Sequence, residues 1–113
     1  MKTRLDIITR ALRRLRVVAM DETATAEQEQ ITSDALDALY EELPGSYGVF
    51  LNGVDEVDDS IFLPLSFLLA AEVAPEFSVT SPETTARALV RLRATTNPND
   101  YTGDDEPLYE GYG

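Results

Sequence analysis

The stretch Leu63–Phe77 constrains this chain more than any other part, because it is the most apolar run in the sequence. Between Pro64 and Pro75 only Ser66 and Glu72 are polar. Pro64 suits the first turn of a helix, where a missing N–H costs nothing, and Pro75 favours a helix end because the residue before a proline is pushed out of the α region. The run therefore predicts a central helix of about three turns, buried by neighbours on most sides.

The apolar side chains of this run are expected to form the core, most of all Leu65, Leu68, Leu69 and Val73. The run is shorter than the roughly 20 apolar residues that span a bilayer. The N-terminus Met1–Arg4 leads into an arginine-rich stretch and not into the apolar segment of a signal peptide. The sequence therefore predicts neither a transmembrane segment nor a membrane partner.

Two capping boxes predict where the first two helices begin. Thr3 with Asp6 begins a helix that should reach about residue 17, and Thr25 with Gln28 begins one that should reach residue 43. Apolar residues recur at three- and four-residue steps in both segments, which is typical of amphipathic helices. The expected inward-facing positions are Leu5, Ile8, Leu12, Leu15 and Val18 in the first helix, and Ile31, Ala35, Leu36, Leu39 and Leu43 in the second.

A loop or hairpin is predicted between the second helix and the central one. Pro44–Gly48 should end the second helix sharply. Asn52–Gly53 suits a tight hairpin turn, with Val49–Leu51 on one side and a return through Val57 on the other. The nearby carboxylates, at Asp55, Glu56, Asp58 and Asp59, do not follow the spacing of a calcium-binding loop. We therefore interpret this region as a solvated loop and not as a metal site.

The last helix should begin at Ser81–Glu83, which offers a cap, a proline at the first position and an acid in the first turn. Its expected inner face consists of Ala86, Leu89, Val90 and Ala94. Together these elements predict an all-α fold: a small four-helix bundle formed by residues 1–96, with a short loop or hairpin insertion between helices 2 and 3 and an extended C-terminal tail. The tail comprises residues 97–113.

The tail combines acids with tyrosines, which is typical of a wet, amphipathic contact strip. Polar termini become ordered when something holds them. We therefore expect the tail to lie on a partner or on a neighbouring subunit. The residues expected to make that contact are Tyr101, Leu108, Tyr109 and Tyr112.

Charge is strongly segregated in a chain of net charge −12. Every basic residue lies in residues 2–16 or 87–93, and the segments between and after these two blocks carry acids and no base. Such segregation fits a solvated face, basic helices packed beside acidic ones, or charged surfaces that meet a partner.

Arg10, Arg13 and Arg14 fall on the face of the first helix opposite its apolar stripe. Phosphate contact is one interpretation. Salt bridges to the acidic second helix or to a neighbouring subunit are favoured, because the chain is acidic and no aromatic residue interleaves with these arginines. Glu41 and Glu42 lie at the C-terminal end of the second helix, where the dipole disfavours anions, so we expect a basic partner for them from the first helix or a neighbouring subunit.

The composition argues against catalysis. The chain has no cysteine and no histidine, which removes disulfides, the commonest zinc ligands, and Ser–His or Cys–His nucleophile pairs. A carboxylate pair of the glycosidase type would need a substrate cleft, for which four short helices offer little room. The sequence therefore predicts a protein that is not an enzyme and needs no cofactor.

Three stretches of the chain resemble the head-to-tail adaptor, or connector, proteins of tailed bacteriophages. They are Ile8–Leu15, Ala35–Leu43 and the opening stretch, with Leu63–Pro64 at its start and Ala74–Phe77 at its end. With the order of the helices, the likeness covers about residues 3 to 95. The middle loop at 44–59 is short, so contacts that this loop makes with the tail in the family do not carry over residue by residue.

The resemblance implies a structural protein of the virion neck, assembled in the host cytoplasm. It implies a ring, usually a dodecamer in that family, beneath the portal protein, with a tail or nozzle (terminator) protein on the other side. Genomic DNA would pass through the lumen without specific binding. In the family the C-terminal extension reaches onto the portal, which agrees with the contact expected for residues 97–113.

A second hypothesis belongs to another class of protein. A small acidic chain can mimic DNA and block a nucleic-acid enzyme, which requires carboxylates spread over one surface. Such a mimic has no need of a tail that carries tyrosines. Binding to portal protein and inhibition of a nuclease are the observations that separate the two hypotheses.

Overall fold

The computed structural model describes residues 1–49, 51 and 55–96, and this part of the chain is all-α, as predicted. Four α-helices form a small bundle, joined by helical turns and a minimal strand pair. The elements in chain order are β1 Lys2–Thr3, α1 Arg4–Arg14, α2 Ala26–Glu42, a π-helical turn Leu43–Tyr47, β2 Glu56–Val57, α3 Asp59–Val73, a 3₁₀ turn Ala74–Phe77, and α4 Thr85–Thr96. The predicted turn Asn52–Gly53 and the tail lie outside the described residues.

Helix α3 is the centre of the bundle, with α1 and α4 packed extensively against it and α2 completing the core. Leu65, Leu68, Leu69 and Val73 have no exposed surface. The core that surrounds them comes from all three other helices and from the connections. Its largest fully buried side chains outside α3 are Ile7, Leu12, Leu36, Leu39, Leu43, Val49 and Leu92.

The start of α3 differs from the prediction. The helix begins at Asp59, so Pro64 lies inside it and not in its first turn. A proline in a helix interior removes one i→i−4 hydrogen bond, here to the carbonyl of Ser60. The local proline signal was overridden because Pro64 and the residues after it are buried, and burial stabilises a helix more than one backbone hydrogen bond does.

Helix α3 with its 3₁₀ extension, Asp59–Phe77, is long and apolar enough to cross a membrane by length and composition alone. The sequence reasoning, which placed the helix start near Pro64, took the run to be too short for this. In the structure Leu65, Leu68 and Leu69 of the segment are buried against the other helices. The segment therefore packs as the core helix of a globular domain.

Both predicted capping boxes are confirmed. In α1 the Asp6 N–H donates to Thr3 Oγ1 at 3.2 Å, and the Thr3 N–H donates to Asp6 Oδ2 at 3.0 Å. In α2 the Gln28 N–H donates to Thr25 Oγ1 at 3.1 Å, and the Thr25 N–H donates to Gln28 Oε1 at 2.9 Å. Each box satisfies backbone donors that have no partner within the helix.

The predicted inner face of α1 is wrong at one edge. Leu5 is 54% exposed, whereas Ile7, which was not predicted, is fully buried. The stripe Ile8, Leu12 and Leu15 is buried as expected. The apolar face is therefore rotated toward Ile7, which brings this edge of α1 against α3.

Helix α4 begins later than predicted and turns a different face inward. Its first residue is Thr85, and the Arg87 N–H donates to Thr84 Oγ1 at 3.2 Å, so Thr84 caps it. Ala88 and Leu92 are fully buried, whereas Val90 is 47% exposed. The predicted inner position Ala86 is exposed, and Leu89 and Ala94 are only half-buried.

A left-handed residue ends α1. Arg16 has φ 61°, its N–H donates to the Arg13 carbonyl, and the Val17 N–H donates to the Leu12 carbonyl, both at 3.0 Å. This is a Schellman motif, in which glycine usually takes the left-handed position. Ser78, at φ 57°, ends the 3₁₀ turn in the same conformation, and Gly48, at φ 68°, ends the π-helical turn.

The strand pair joins the N-terminus to the segment before α3. β1 and β2 are antiparallel, with Lys2 opposite Val57. The predicted strand at Val57 is therefore present, but it pairs with the N-terminus. A local hairpin would require it to pair with Val49–Leu51. This contact places Lys2 close to the first turns of α3.

Candidate partner-binding site

Phe67 on α3 lies at the centre of a cluster of arginines. The guanidinium carbons of Arg14, Arg91 and Arg10 lie 4.2, 5.1 and 5.7 Å from the centroid of its ring. The ring is only 7% exposed, because α1 brings two arginines one turn apart to it and α4 brings the third. We call Arg10, Arg14, Arg91 and Phe67 the arginine cluster. Each cation–π contact contributes on the order of 0.5–2 kcal/mol, depending on how far the pair is desolvated.

Glu83 is the carboxylate that compensates the arginine cluster. Its Oε2 lies 3.1 Å from Arg91 Nη1 and its Oε1 lies 3.9 Å from Arg14 Nη2, with only 15% of the side chain exposed. One carboxylate therefore pairs with two of the three guanidinium groups of the cluster. The Nε atoms of Arg10 and Arg14 are buried and have no hydrogen-bond partner among the described residues. The cluster keeps an excess of positive charge at the surface.

A groove of about 250 Å³ continues from the arginine cluster along α1. We call it the α1 groove; the residues that line it are Lys2, Leu5, Asp6, Thr9, Arg10, Arg13, Met20 and Phe62. Its apolar side chains are accessible, with Leu5 54% and Met20 74% exposed. Lys2 Nζ lies 5.3 Å from the centroid of the Phe62 ring. The groove therefore combines a basic rim with exposed apolar surface.

Asp6 is the acid that lines the α1 groove, and its carboxylate is already engaged. The backbone hydrogen bond from Thr3 holds the pKa of Asp6 below its usual value, and the charge of Lys2 acts in the same direction. The carboxylate is therefore ionised near neutral pH and committed to the cap of α1. It forms no ion pair with Arg10 or Arg13.

The structure places the three predicted arginines away from α2. Arg10 and Arg14 face α3 and α4, and Arg13 Nη2 donates to the backbone carbonyl of Glu22 at 3.4 Å. The prediction that they form salt bridges to the acidic second helix within one chain is therefore wrong. The expectation that they meet a neighbouring subunit stays a prediction.

Arg4 makes the contact to α2 that was expected from the other arginines. Its Nη2 donates to Asp37 Oδ1 at 2.7 Å and to the side chain and carbonyl of Ser33 at 2.8 Å. Arg4 was not predicted from the sequence to make this contact. It lies in the first turn of α1, and its hydrogen bonds show that this turn lies beside the middle of α2. Arg4 therefore links α1 to α2. Arg10, Arg13 and Arg14 lie on a different side of α1.

Helix α2 carries the opposite charge on its exposed side. Glu41 and Glu42 are exposed, and within residues 1–49, 51 and 55–96 neither forms an ion pair. The predicted relief by the first helix is therefore not found within this part of the chain. The exposed acids of α2 are Glu27, Asp34, Asp37, Glu41 and Glu42. They form an acidic surface about 25 Å long on this 17-residue helix.

Tyr40 on α2 is half-buried, and its hydroxyl has no hydrogen-bond partner in the described part of the chain. Burial raises the pKa of this phenol above its ordinary value. The hydroxyl therefore stays protonated at neutral pH and can donate a hydrogen bond to a partner that reaches it.

The predicted tail contacts, at Tyr101, Leu108, Tyr109 and Tyr112, lie outside the described residues. Within the residues described, no three acidic side chains are gathered as a metal site requires. The charged surfaces of the described chain are a basic one on α1 and α4 and an acidic one on α2.

Sequence reasoning missed Phe67, Glu83 and Arg91 as members of one site. The i, i+4 spacing of Arg10 and Arg14 was visible and places both on one side of α1. No local sequence pattern indicated that the ring of a core phenylalanine would contact both guanidinium groups. That contact depends on how α1 and α4 cross α3.

The comparisons with known proteins add no family. No protein-family model matches the sequence, and the search of curated proteins finds no match.

Proposed function

We propose that this protein is a structural head-to-tail adaptor of a tailed bacteriophage, which forms a ring below the portal protein and joins the capsid to the tail. The observation that carries the proposal is the separation of charge on one small bundle. A basic surface on α1 and α4 and an acidic surface on α2 are each left with unpaired charges. Two different complementary surfaces on one subunit favour head-to-tail association, which closes into a ring when the rotation allows.

The resemblance supports the same assignment. Its three stretches fall on α1, on α2 and on α3 with its 3₁₀ extension. In this proposal residues 97–113 reach the portal, a tail or nozzle protein binds the opposite side, and DNA passes through the lumen. Net negative charge suits that passage, because carboxylates do not bind phosphates.

The first test is co-purification of the protein with the portal protein of the same phage, followed by measurement of the mass of the complex. The expected result is a defined complex with several adaptor chains on one portal ring. A stable monomer that ignores the portal and inhibits a nuclease would overturn the proposal.

A deletion tests the role proposed for the tail. Removal of Tyr101–Gly113 is expected to abolish portal docking and to leave the bundle folded, with its helical circular-dichroism signal retained. Normal docking by the shortened protein would assign the portal contact to the bundle.

A charge reversal tests the proposed contact between subunits. Glu41→Lys combined with Glu42→Lys is expected to weaken assembly on the portal, because both acids are exposed and have no ion-pair partner in the described chain. Asp21→Lys combined with Glu76→Lys is the matched control, since both are exposed acids outside α2 and the change in net charge is the same. Equal loss of assembly in both variants would point to net charge and not to a specific contact.

The alternative function is a DNA mimic that binds a nucleic-acid enzyme. The acidic surface of α2, about 25 Å long, is the observation that favours it. The arginine cluster argues against it, because a mimic gains nothing from a basic surface with an excess of charge. A nuclease inhibition assay with and without portal protein separates the two functions.

A further inference from the structure

The basic side chains along the outer face of α1 are not neutralised within the described chain. Lys2, Arg10, Arg13 and Arg16 have no carboxylate within 4.0 Å among residues 1–49, 51 and 55–96. The chain as a whole carries a net charge of −12, so acids are abundant elsewhere. A basic surface that stays unpaired in so acidic a protein indicates an anionic occupant.

Arg16 provides a second, independent observation. It takes the left-handed conformation at φ 61°, where glycine is favoured and a side chain is strained. Its side chain is exposed and has no ion pair or hydrogen bond in the described residues. It extends the charge of the groove beyond the end of α1. Strained backbone is often retained where it serves a function. Because the Arg16 side chain makes no ion pair or hydrogen bond within the described residues, we expect it to contact a group outside them.

The apolar part of the α1 groove defines the occupant further. Leu5 and Met20 are exposed beside the basic rim, and the Phe62 ring lies next to them. The phosphate backbone of a nucleic acid would contact the arginines and leave the apolar side chains exposed to solvent. A segment that carries both carboxylates and aromatic rings would use both parts.

We propose that the α1 groove binds the C-terminal segment 97–113 of the same chain. This segment contains acids and no base, and it carries tyrosines that match the exposed apolar surface. Its acidic residues are Asp100, Asp104, Asp105, Glu106 and Glu110, and its tyrosines are Tyr101, Tyr109 and Tyr112. The charge and the apolar character of the segment are therefore both complementary to the groove.

The segment is long enough to reach the groove from the end of α4. Arg93, near that end, donates two hydrogen bonds to the Tyr47 carbonyl, so the segment leaves the bundle beside the turn that follows α2. At about 3.3 Å per residue a 17-residue segment reaches about 56 Å, and the longest dimension of the molecule is 48 Å.

This inference goes beyond the proposed function, because it concerns the isolated chain and stands whether or not the protein is an adaptor. A tethered segment binds at a high effective concentration, so modest contacts suffice.

The experiment uses carbodiimide crosslinking of the full chain, which joins a carboxylate to an amine that it touches. Lys2 is the only lysine, and it lines the α1 groove. The expected product is a monomer in which mass spectrometry finds Lys2 joined to Asp104, Asp105, Glu106 or Glu110. Crosslinks from Lys2 to acids of the bundle alone would overturn the proposal.

Mixing of isotope-labelled and unlabelled protein identifies the source of the segment. Crosslinks confined to one chain are expected. Crosslinks between labelled and unlabelled chains would overturn the proposal in favour of a second copy. Absence of the crosslink in the protein alone, together with double-stranded DNA binding at physiological salt that Arg13→Glu abolishes, would overturn it in favour of nucleic acid.

Charge variants test whether the groove is responsible. Arg13→Glu is expected to abolish the crosslink between Lys2 and the segment, and Asp105→Arg in the same chain is expected to restore it at the remaining acids. Arg87→Glu is the control, because Arg87 is exposed on α4 and does not line the groove. An unchanged crosslink in Arg13→Glu would overturn the proposal, and so would equal loss in Arg87→Glu.

Discussion

Helices α1 and α3 pack against each other but are specified in opposite ways. Helix α1 carries its own signals: a capping box at its start, a Schellman motif at its end and an amphipathic stripe between them. Helix α3 has no side-chain cap hydrogen bond at Asp58 and contains Pro64 in its interior. Yet α3 contributes more fully buried residues than any other helix of the described chain. Local signals define α1, and tertiary burial defines α3.

The same difference decides where each helix can contribute to function. Because α3 is apolar nearly all round, it offers little polar surface and acts as the support on which the other helices lie. Helix α1 has one face in the core and another lined with basic side chains, so it can hold both a fold and a partner. The two roles meet at Phe67, a core residue of α3 that three arginines cover.

The largest expected effect tests the dependence of α3 on burial. Leu69→Ala should lower the free energy of unfolding by about 2–5 kcal/mol, the usual range for a fully buried leucine. Leu63→Ala is the matched control on the same helix, because Leu63 is 40% exposed. Urea unfolding of both variants measures the difference. A loss below about 1 kcal/mol for Leu69→Ala would show that burial does not define this helix.

Removal of the caps tests the local specification of α1. Thr3→Ala should lower the free energy of unfolding by about 1 kcal/mol, because it removes the side-chain acceptor of the capping box. Asp58→Ala should cost less, since Asp58 makes no side-chain cap hydrogen bond at the start of α3. Thermal unfolding compares the two variants, and equal losses would remove the distinction between the helices.

The left-handed helix ends provide a pair of opposite expectations. Arg16→Gly should stabilise the protein by about 1 kcal/mol, because glycine relieves the strain of a side chain at positive φ. Gly48→Ala should destabilise it by a similar amount. An added Cβ meets no atom within 4 Å, so the whole cost is that of a side chain at positive φ. Denaturant unfolding gives both signs. Destabilisation by Arg16→Gly would show that the Arg16 side chain contributes to the fold.

The smallest expected effect concerns pH. In the folded protein the pKa of Asp6 is lowered from its ordinary value of 3.8, so its contribution to stability is fully present above that pH. The contribution is lost as the pH falls below 3.8 through the lower folded pKa. The difference in unfolding free energy between the protein and Asp6→Asn should therefore shrink over this acid range. A difference that stays constant with pH would mean that the Asp6 charge does not support the cap.

The parts of the site that sequence patterns predicted are those with a local cause. The arginines of α1 and the acids of α2 were identified from helical spacing and charge, and the structure leaves both sets at the surface. Their partners were not predictable in this way. Arg4 pairs with Asp37, and Arg14 with Glu83, across helices whose crossing depends on the packing of the whole bundle.

The sequence by itself determined the helical class, the starts of α1 and α2, and the identity of the core run, because capping hydrogen bonds and apolar periodicity act over a few residues. Tertiary structure alone decided where α3 and α4 begin, which face of α4 turns inward and why Leu5 is exposed. In these cases local preferences are worth about 1 kcal/mol or less per residue. Burial of a side chain in the core is worth more, so packing chose among the alternatives that the sequence allowed.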